Sequence, residues 1–153
     1  MVSLYPSIPQ TECLQTIYNQ MHQCRHLLLL NPNLLIQLLH ININYNYFEY
    51  GTLAFQQTYG TAMGTAFSPT IANIFMSVCI RKFLATQKIK PLLLKRYIDN
   101  IFVIWTNTKE TLQDSLSGFH PPIQFAYTIS QNSTDFLDLS IYKRVRLPNH
   151  EQA

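Results

Sequence analysis

Charge is scarce in this chain. Only 12% of its 153 residues are Asp, Glu, Lys or Arg, against 47% hydrophobic. So apolar a composition excludes a disordered polyelectrolyte and suits one globular domain with a core of its own. Long hydrophobic runs are missing too. The longest unbroken aliphatic stretch is Leu27 to Leu30, far short of the ~20 residues that cross a bilayer, and no apolar stretch follows a basic start; no membrane partner and no secretory leader are expected. Cysteine is rare, odd in number and never spaced as CxxC: Cys13, Cys24 and Cys79. A disulfide framework or a zinc cluster is therefore not expected, and an intracellular, reducing setting is. The net charge of +3 tolerates a polyanion without requiring one.

What is present is periodicity. After Pro9, Leu14, Ile17, Tyr18, Met21 and Leu28 recur at helical steps, which predicts a helix from about Pro9 to Leu30. Asn31-Pro32-Asn33 breaks it, and a short helix carrying Leu34, Leu35, Leu38 and Leu39 should follow. From Ile41 the period becomes two: Ile41, Ile43, Tyr45 and Tyr47 alternate with asparagine, then Gly51-Thr52 turns the chain into Leu53 to Gln57, a first hairpin. Ser68 as N-cap and Pro69 as first helical residue open a helix to about Thr86, with Ile71, Phe75, Val78 and Cys79 inward. Leu92 to Leu94 and Ile101 to Trp105 make a second hairpin with Asp99 at its tip. A short helix from Thr111 to Gly118 follows a cap at or near Thr108. Ile123 to Ile129 and Leu137 to Ile141 suggest a third hairpin turning at Gln131 to Thr134. The expected fold is α+β, an antiparallel sheet of hairpins packed on one face by helices. Residues 1–142 form this domain and 143–153 a frayed basic tail.

Three places invite chemistry. His22, His26 and His40 lack an HExxH pattern or a third ligand, so they read as surface or core histidines rather than metal ligands. Asp99 stands between two very apolar strands, where a carboxylate is costly unless it sits at an exposed tip or binds a cation. A turn aspartate and a Mg²⁺ ligand both meet that condition; the second needs another carboxylate from elsewhere. Gly60 and Gly64, half of the chain's glycines, lie within GTAMGTAFSP before a capped helix. The stretch is neither GxxxxGK[ST] nor GxGxxG, which leaves a structural loop and a binding loop both open.

Together these stretches resemble the palm domain of a reverse transcriptase, an RNA-directed DNA polymerase, of the Penelope-like retroelement group. Ser3 to Pro9, SLYPSIP, resembles the end of motif A. Gly60 to Asn73, GTAMGTAFSPTIAN, resembles motif B, and Arg96 to Phe102, RYIDNIF, the YxDD hairpin of motif C. Phe119 to Phe125 followed by Phe136-Leu137-Asp138 is similar to the segment that closes the palm in that group.

The resemblance implies RNA-templated DNA synthesis by two-metal nucleotidyl transfer in a full-length protein, with an RNA template, a DNA primer and deoxynucleotides as partners and Mg²⁺ as cofactor. Asp99 would be a catalytic metal ligand and Asn100 a neutral one. Tyr5 would lie under the incoming sugar, where a ring disfavours a 2′-hydroxyl; a core tyrosine is the competing reading. Met63 and Gly64 would line the nascent base-pair pocket and Ser68 would fix the helix beyond it. Lys95, Arg96 and Tyr97 would meet nucleic acid, although two adjacent cations such as Lys95 and Arg96 before a buried strand are more often just solvated. The sequence departs from the pattern twice: the motif A aspartate would fall directly before Met1, and Asn100 replaces the second Asp of YxDD. Most of the fingers and the thumb are also absent. This chain is therefore expected to be a fragment, inactive by itself, with apolar surfaces left uncovered. Asp135 and Asp138 would replace the missing carboxylate only if folding brought them beside Asp99. The alternatives are a degenerate, non-catalytic remnant that binds nucleic acid weakly, and an α+β interaction domain.

Overall fold

The computed structural model describes residues Leu4 to Lys143. Met1 and Ser3, and all of the expected basic tail except Lys143, lie outside that span.

The chain enters through α1 (Leu4–Ser7), and Leu4 and Ile8 are buried at once. Pro9 is extended (ψ 121°) and stands at the N-cap of α2 (Gln10–Gln23), its carbonyl accepting the Cys13 N–H at 2.9 Å, one residue before the first helical position. Cys13, Thr16 and Ile17 form the buried face of this helix. The helix expected to reach Leu30 stops at Gln23, followed by one 3₁₀ turn (Arg25–Leu27). Leu27, Leu29 and Leu30 are exposed and only Leu28 is half-buried, so there is little burial beyond Gln23 to stabilise further helical turns.

Asn31 caps α3 (Pro32–Asn44), its side chain accepting the Asn33 N–H at 2.9 Å, with Pro32 in the first turn. This helix runs through Ile41 and Ile43, where alternation predicted strand. Ile36, Leu39 and Ile43 are also spaced three and four apart, and they turn toward the core. The amides of Asn42 and Asn44 donate back to the Leu38 and His40 carbonyls at 2.7 and 2.9 Å. The opposite face of α3 leaves Leu34, Leu38, Ile41 and Tyr45 exposed. The first hairpin therefore begins later than expected, pairing β1 (Tyr47–Tyr50) with β2 (Leu53–Gln56) around Gly51, whose φ of 65° suits a tight turn.

Helix α4 (Ser68–Thr86) is the centre of the molecule. Phe67 occupies the cap position; Ser68, expected there, is the first helical residue and is fully buried. Ile71, Ala72, Phe75, Met76, Cys79 and Ile80 make one continuous stripe that meets Leu4, Ile8, Cys13 and Ile17. Burying Phe75 alone contributes roughly 2–3 kcal/mol. Ile43 from α3 and Ile123 complete this core.

β3 (Leu93–Tyr97) and β4 (Asn100–Ile104) form the second hairpin, with Tyr97 opposite Asn100. Leu94, Ile98 and Ile101 lie against the helical core. Trp105, the only tryptophan in the chain, donates its indole N–H to the Thr108 carbonyl (3.1 Å) and to Thr111 Oγ1 (3.2 Å). This fastens the end of β4 to α5 (Lys109–Ser117), which Thr108 caps as expected.

The third hairpin is displaced from its expected place. Residues 123–129 form no strand, and the ladder joins β5 (Ser133–Phe136) to β6 (Leu139–Tyr142) around Leu137-Asp138. Ile123 is instead drawn into the helical core, and Phe125 packs edge-on against Phe119 at 4.9 Å; burial of these side chains replaced strand pairing. The described residues thus mix helix and antiparallel strand in an α+β arrangement. The common sheet that was expected is replaced by three separate two-stranded ladders, because the segment that would have extended one hairpin toward the next is used for packing. No helix among the described residues is long and apolar enough to cross a membrane.

Candidate functional site

Three segments singled out in the sequence meet through α4. The first junction joins the chain start to the glycine loop. Thr61 donates its N–H to the Tyr5 carbonyl at 2.9 Å. Gly60 has a φ of 74°, and a Cβ there would stand 2.6 Å from the Cα of Pro6, so a side chain is excluded on two counts. The side-chain amide of Gln10 donates to the Gly60 carbonyl at 3.0 Å and to that of Gln57 at 3.4 Å, clamping the loop from the start of α2. The Thr61 hydroxyl is buried and, with His120 Nδ1, is a polar atom without a hydrogen-bond partner among the described residues.

The second junction joins α4 to the turn that carries Asp99. Successive strand residues face opposite sides, so Lys95 and Tyr97 point to solvent while Arg96 points at the helix. One terminal nitrogen of Arg96 donates to Asn73 Oδ1 (2.9 Å) and to the Ile98 carbonyl (2.7 Å). The other donates to the Asn73 carbonyl (3.2 Å) and to Ser77 Oγ (2.9 Å). Burial pulls the guanidinium below its usual pKa, yet arginine stays charged in proteins, and here four neutral acceptors serve it in place of a carboxylate.

The turn is strained where it matters. Ile98 has a φ of 49°, a left-handed conformation that a β-branched side chain rarely adopts. Asp99 follows at the tip, half-buried, and the Asn100 amide donates to Asp99 Oδ1 at 3.4 Å. A groove of about 1180 Å³ runs past Asp99, Asn100, Phe102 and Trp105 toward Asp135 and Phe136.

The predicted site residues divide accordingly. Asp99 and Asn100 share the groove, and Asp135 borders it too, its carboxylate accepting the Ser140 hydroxyl at 2.6 Å; Asp138 does not border it. Tyr5, Met63, Gly64 and Ser68 do not line this groove. Tyr5 packs against the core, Met63 is 74% exposed, Gly64 has a φ of 101°, and the buried Ser68 hydroxyl pairs with Thr65. Asn73 and Ser77 were not singled out from the sequence. Strand alternation gave part of the signal, since Lys95 and Arg96 face opposite sides of β3, but it does not name the partners of the one that turns inward.

As a metal centre the donor set is thin. Among the described residues no three His, Cys, Asp or Glu side chains stand close enough to hold an ion. One carboxylate with a neutral amide neighbour does not fit a pair of divalent cations. The thiols of Cys13 and Cys79 are buried, and burial pushes their pKa values up to about 12 and about 11, which makes them inert at neutral pH. Comparison with protein-family models, with curated proteins and with solved structures finds no match for this chain.

Proposed function

We propose that this chain is part of a reverse transcriptase palm, with Asp99 at the tip of the β3–β4 hairpin as the carboxylate that would meet Mg²⁺ in a longer protein. The observation that carries this reading is the convergence of the three resembling segments on one helix. The chain start lies on the glycine loop, the loop leads into α4, and α4 holds the Asp99 turn through Arg96. A polymerase palm needs that assembly, because nucleotidyl transfer depends on fixed positions for the metal-bound phosphates, the sugar and the nascent base pair.

In this reading Asp99 supplies charge, Asn100 a neutral oxygen, and the exposed Lys95 and Tyr97 meet the template–primer backbone. RNA template, DNA primer and deoxynucleotides are the partners of the longer protein. The chain as it stands is expected to polymerise nothing, because one anionic ligand cannot hold two cations about 3.5–4 Å apart. The test is a version extended upstream by a fingers module ending in an aspartate directly before Met1, and downstream by a thumb module. It should extend a DNA primer on RNA in Mg²⁺, and Asp99→Ala should abolish extension. Undiminished extension by the Ala variant would remove Asp99 from the role.

A second reading, a non-catalytic remnant or interaction domain, is favoured by one observation. The outer face of α3 presents Leu34, Leu38, Ile41 and Tyr45 to solvent, an apolar stripe of the kind that marks protein contact.

A further inference from the structure

We infer that Arg96 is a positioning residue for Asp99 and not a contact for phosphate. It acts as a latch that fixes the strained Ile98 peptide to α4. The inference rests on the palm reading for its functional meaning, but its physical content stands on the geometry alone. Ile98 in the left-handed region, with a φ of 49°, is sterically disfavoured for a β-branched side chain, so the turn persists only if its surroundings oppose its relaxation. The surroundings that touch its carbonyl are the Arg96 guanidinium, 2.7 Å away, and the same nitrogen reaches Asn73 Oδ1. Rotating the Ile98–Asp99 peptide out of its present plane would swing that carbonyl off the guanidinium and leave one of its half-buried N–H groups without an acceptor, the bond to Asn73 Oδ1 remaining.

The fork matters more than the charge. Four hydrogen bonds leave two nitrogens in one plane and end on three residues, Asn73, Ser77 and Ile98. A lysine ammonium carries the same charge but is a point, and it cannot span these acceptors. The Ser77 hydroxyl itself donates to the Asn73 carbonyl at 2.7 Å, so the α4 side of the latch is pre-assembled. Asn73 is the last residue of the stretch that begins at Gly60, five residues beyond Ser68. The latch therefore makes the helix following the glycine loop and the turn bearing Asp99 move as one body, and a shift of α4 is passed to the carboxylate.

The experiment is nuclear magnetic resonance on the chain as it exists, comparing the wild type with Arg96→Lys, Asn73→Ala and Ser77→Ala. Two quantities report on the turn: the amide-to-Hα coupling of Ile98, which reads φ, and amide exchange at Ile98, Asp99 and Asn100. Arg96→Lys should move the coupling away from its left-handed value and speed exchange at these amides by about 10- to 100-fold, the loss expected for hydrogen bonds to a charged group. Asn73→Ala should do the same from outside the hairpin. Ser77→Ala, which removes one bond of the four, should give a smaller change at the same residues and keep the fold intact as a control. Unchanged coupling and exchange in Arg96→Lys would overturn the latch. A separate arm adds Mn²⁺ to the wild type: broadening centred on Asp99 supports the palm reading, and its absence counts against that reading without touching the latch. A template–primer affinity that drops in Arg96→Ala, is restored in Arg96→Lys, and changes with no effect at Ile98 would assign Arg96 to phosphate instead.

Discussion

Two hairpins of this protein turn in the same way and end up in different situations. In β3–β4 the turn reads Tyr97-Ile98-Asp99-Asn100; in β5–β6 it reads Phe136-Leu137-Asp138-Leu139. Each has an aromatic before the turn, an aliphatic residue at positive φ (49° and 57°) and an aspartate after it. A positive φ at the first turn position suits the twist of hairpin strands and ordinarily selects glycine. The β3–β4 hairpin backs onto α4 through Arg96 and lays Leu94, Ile98 and Ile101 on the core. The β5–β6 hairpin is held by smaller contacts: Phe102 and Phe136 with ring centres 5.8 Å apart, the Ser140–Asp135 bond, and a backbone bond from Lys143 to Asn132 at 2.8 Å. Similar turns thus leave one carboxylate half-buried beside the helical core and the other exposed at the periphery. The difference comes from what lies beneath, since an isolated two-stranded hairpin is marginal in water.

The comparison is broken most severely by removing the shared core. Phe75→Ala should lower global stability by about 3–5 kcal/mol in urea denaturation. Amide protection in β3–β4 should collapse with it, while that of β5–β6 changes little. Equal losses in both hairpins would mean that they form one cooperative unit. Next in size is Gly60→Ala, where the new Cβ meets the Pro6 backbone and the residue must hold a φ of 74°. It should be destabilising by about 2–3 kcal/mol, read in the same denaturation, with the disturbance reaching Tyr5 and Thr61 before the third hairpin.

A milder pair sharpens the contrast. Leu137→Gly relieves the positive φ at an exposed site and should stabilise the protein by about 0.5–1 kcal/mol, visible as a rise in thermal midpoint. Ile98→Gly relieves the same strain but surrenders packing on the core, so its midpoint should stay level or fall. A matching rise at both positions would show that Ile98 is not anchored.

The smallest effect is alkaline. Cys13 and Cys79 lie in the helical core, with folded pKa values raised from 9.0 to about 12 and about 11 by burial. Above pH 9 the unfolded thiols ionise first, so stability that is fully present below that pH declines as pH rises toward 11–12. Near pH 9 the decline should be a fraction of a kcal/mol, and exchanging both cysteines for alanine should flatten it. A thiol reagent at neutral pH should find Cys24, which is exposed, long before the other two.

Much of this layout was legible in the sequence because local rules and tertiary packing agreed there. Ser68-Pro69 opens α4 within one residue of its expected start, Thr108 caps α5, and Asp99 falls in the turn of its hairpin. Where two periods competed, the sequence was ambiguous: Ile41 to Tyr47 fits strand alternation, while Ile36, Leu39 and Ile43 fit a helix, and contact with α2 decided for the helix. The third hairpin was misplaced because Ile123 and Phe125 alternate like strand residues but serve as packing residues, Ile123 buried and Phe125 half-buried against the core. At the site, the position of Asp99 was readable and its support was not. The latch joins residues distant in sequence, Arg96 to Asn73 and Ser77, and only a strand known to lie on that helix reveals it.

The lone indole offers a convenient vantage point. Trp105 sits where β4 gives way to α5, tied to Thr108 and Thr111 and away from the buried helical stripe. Its emission will register loosening at that seam, so a fluorescence melt of this protein will chart the seam and the helices will need a second spectroscopic observer.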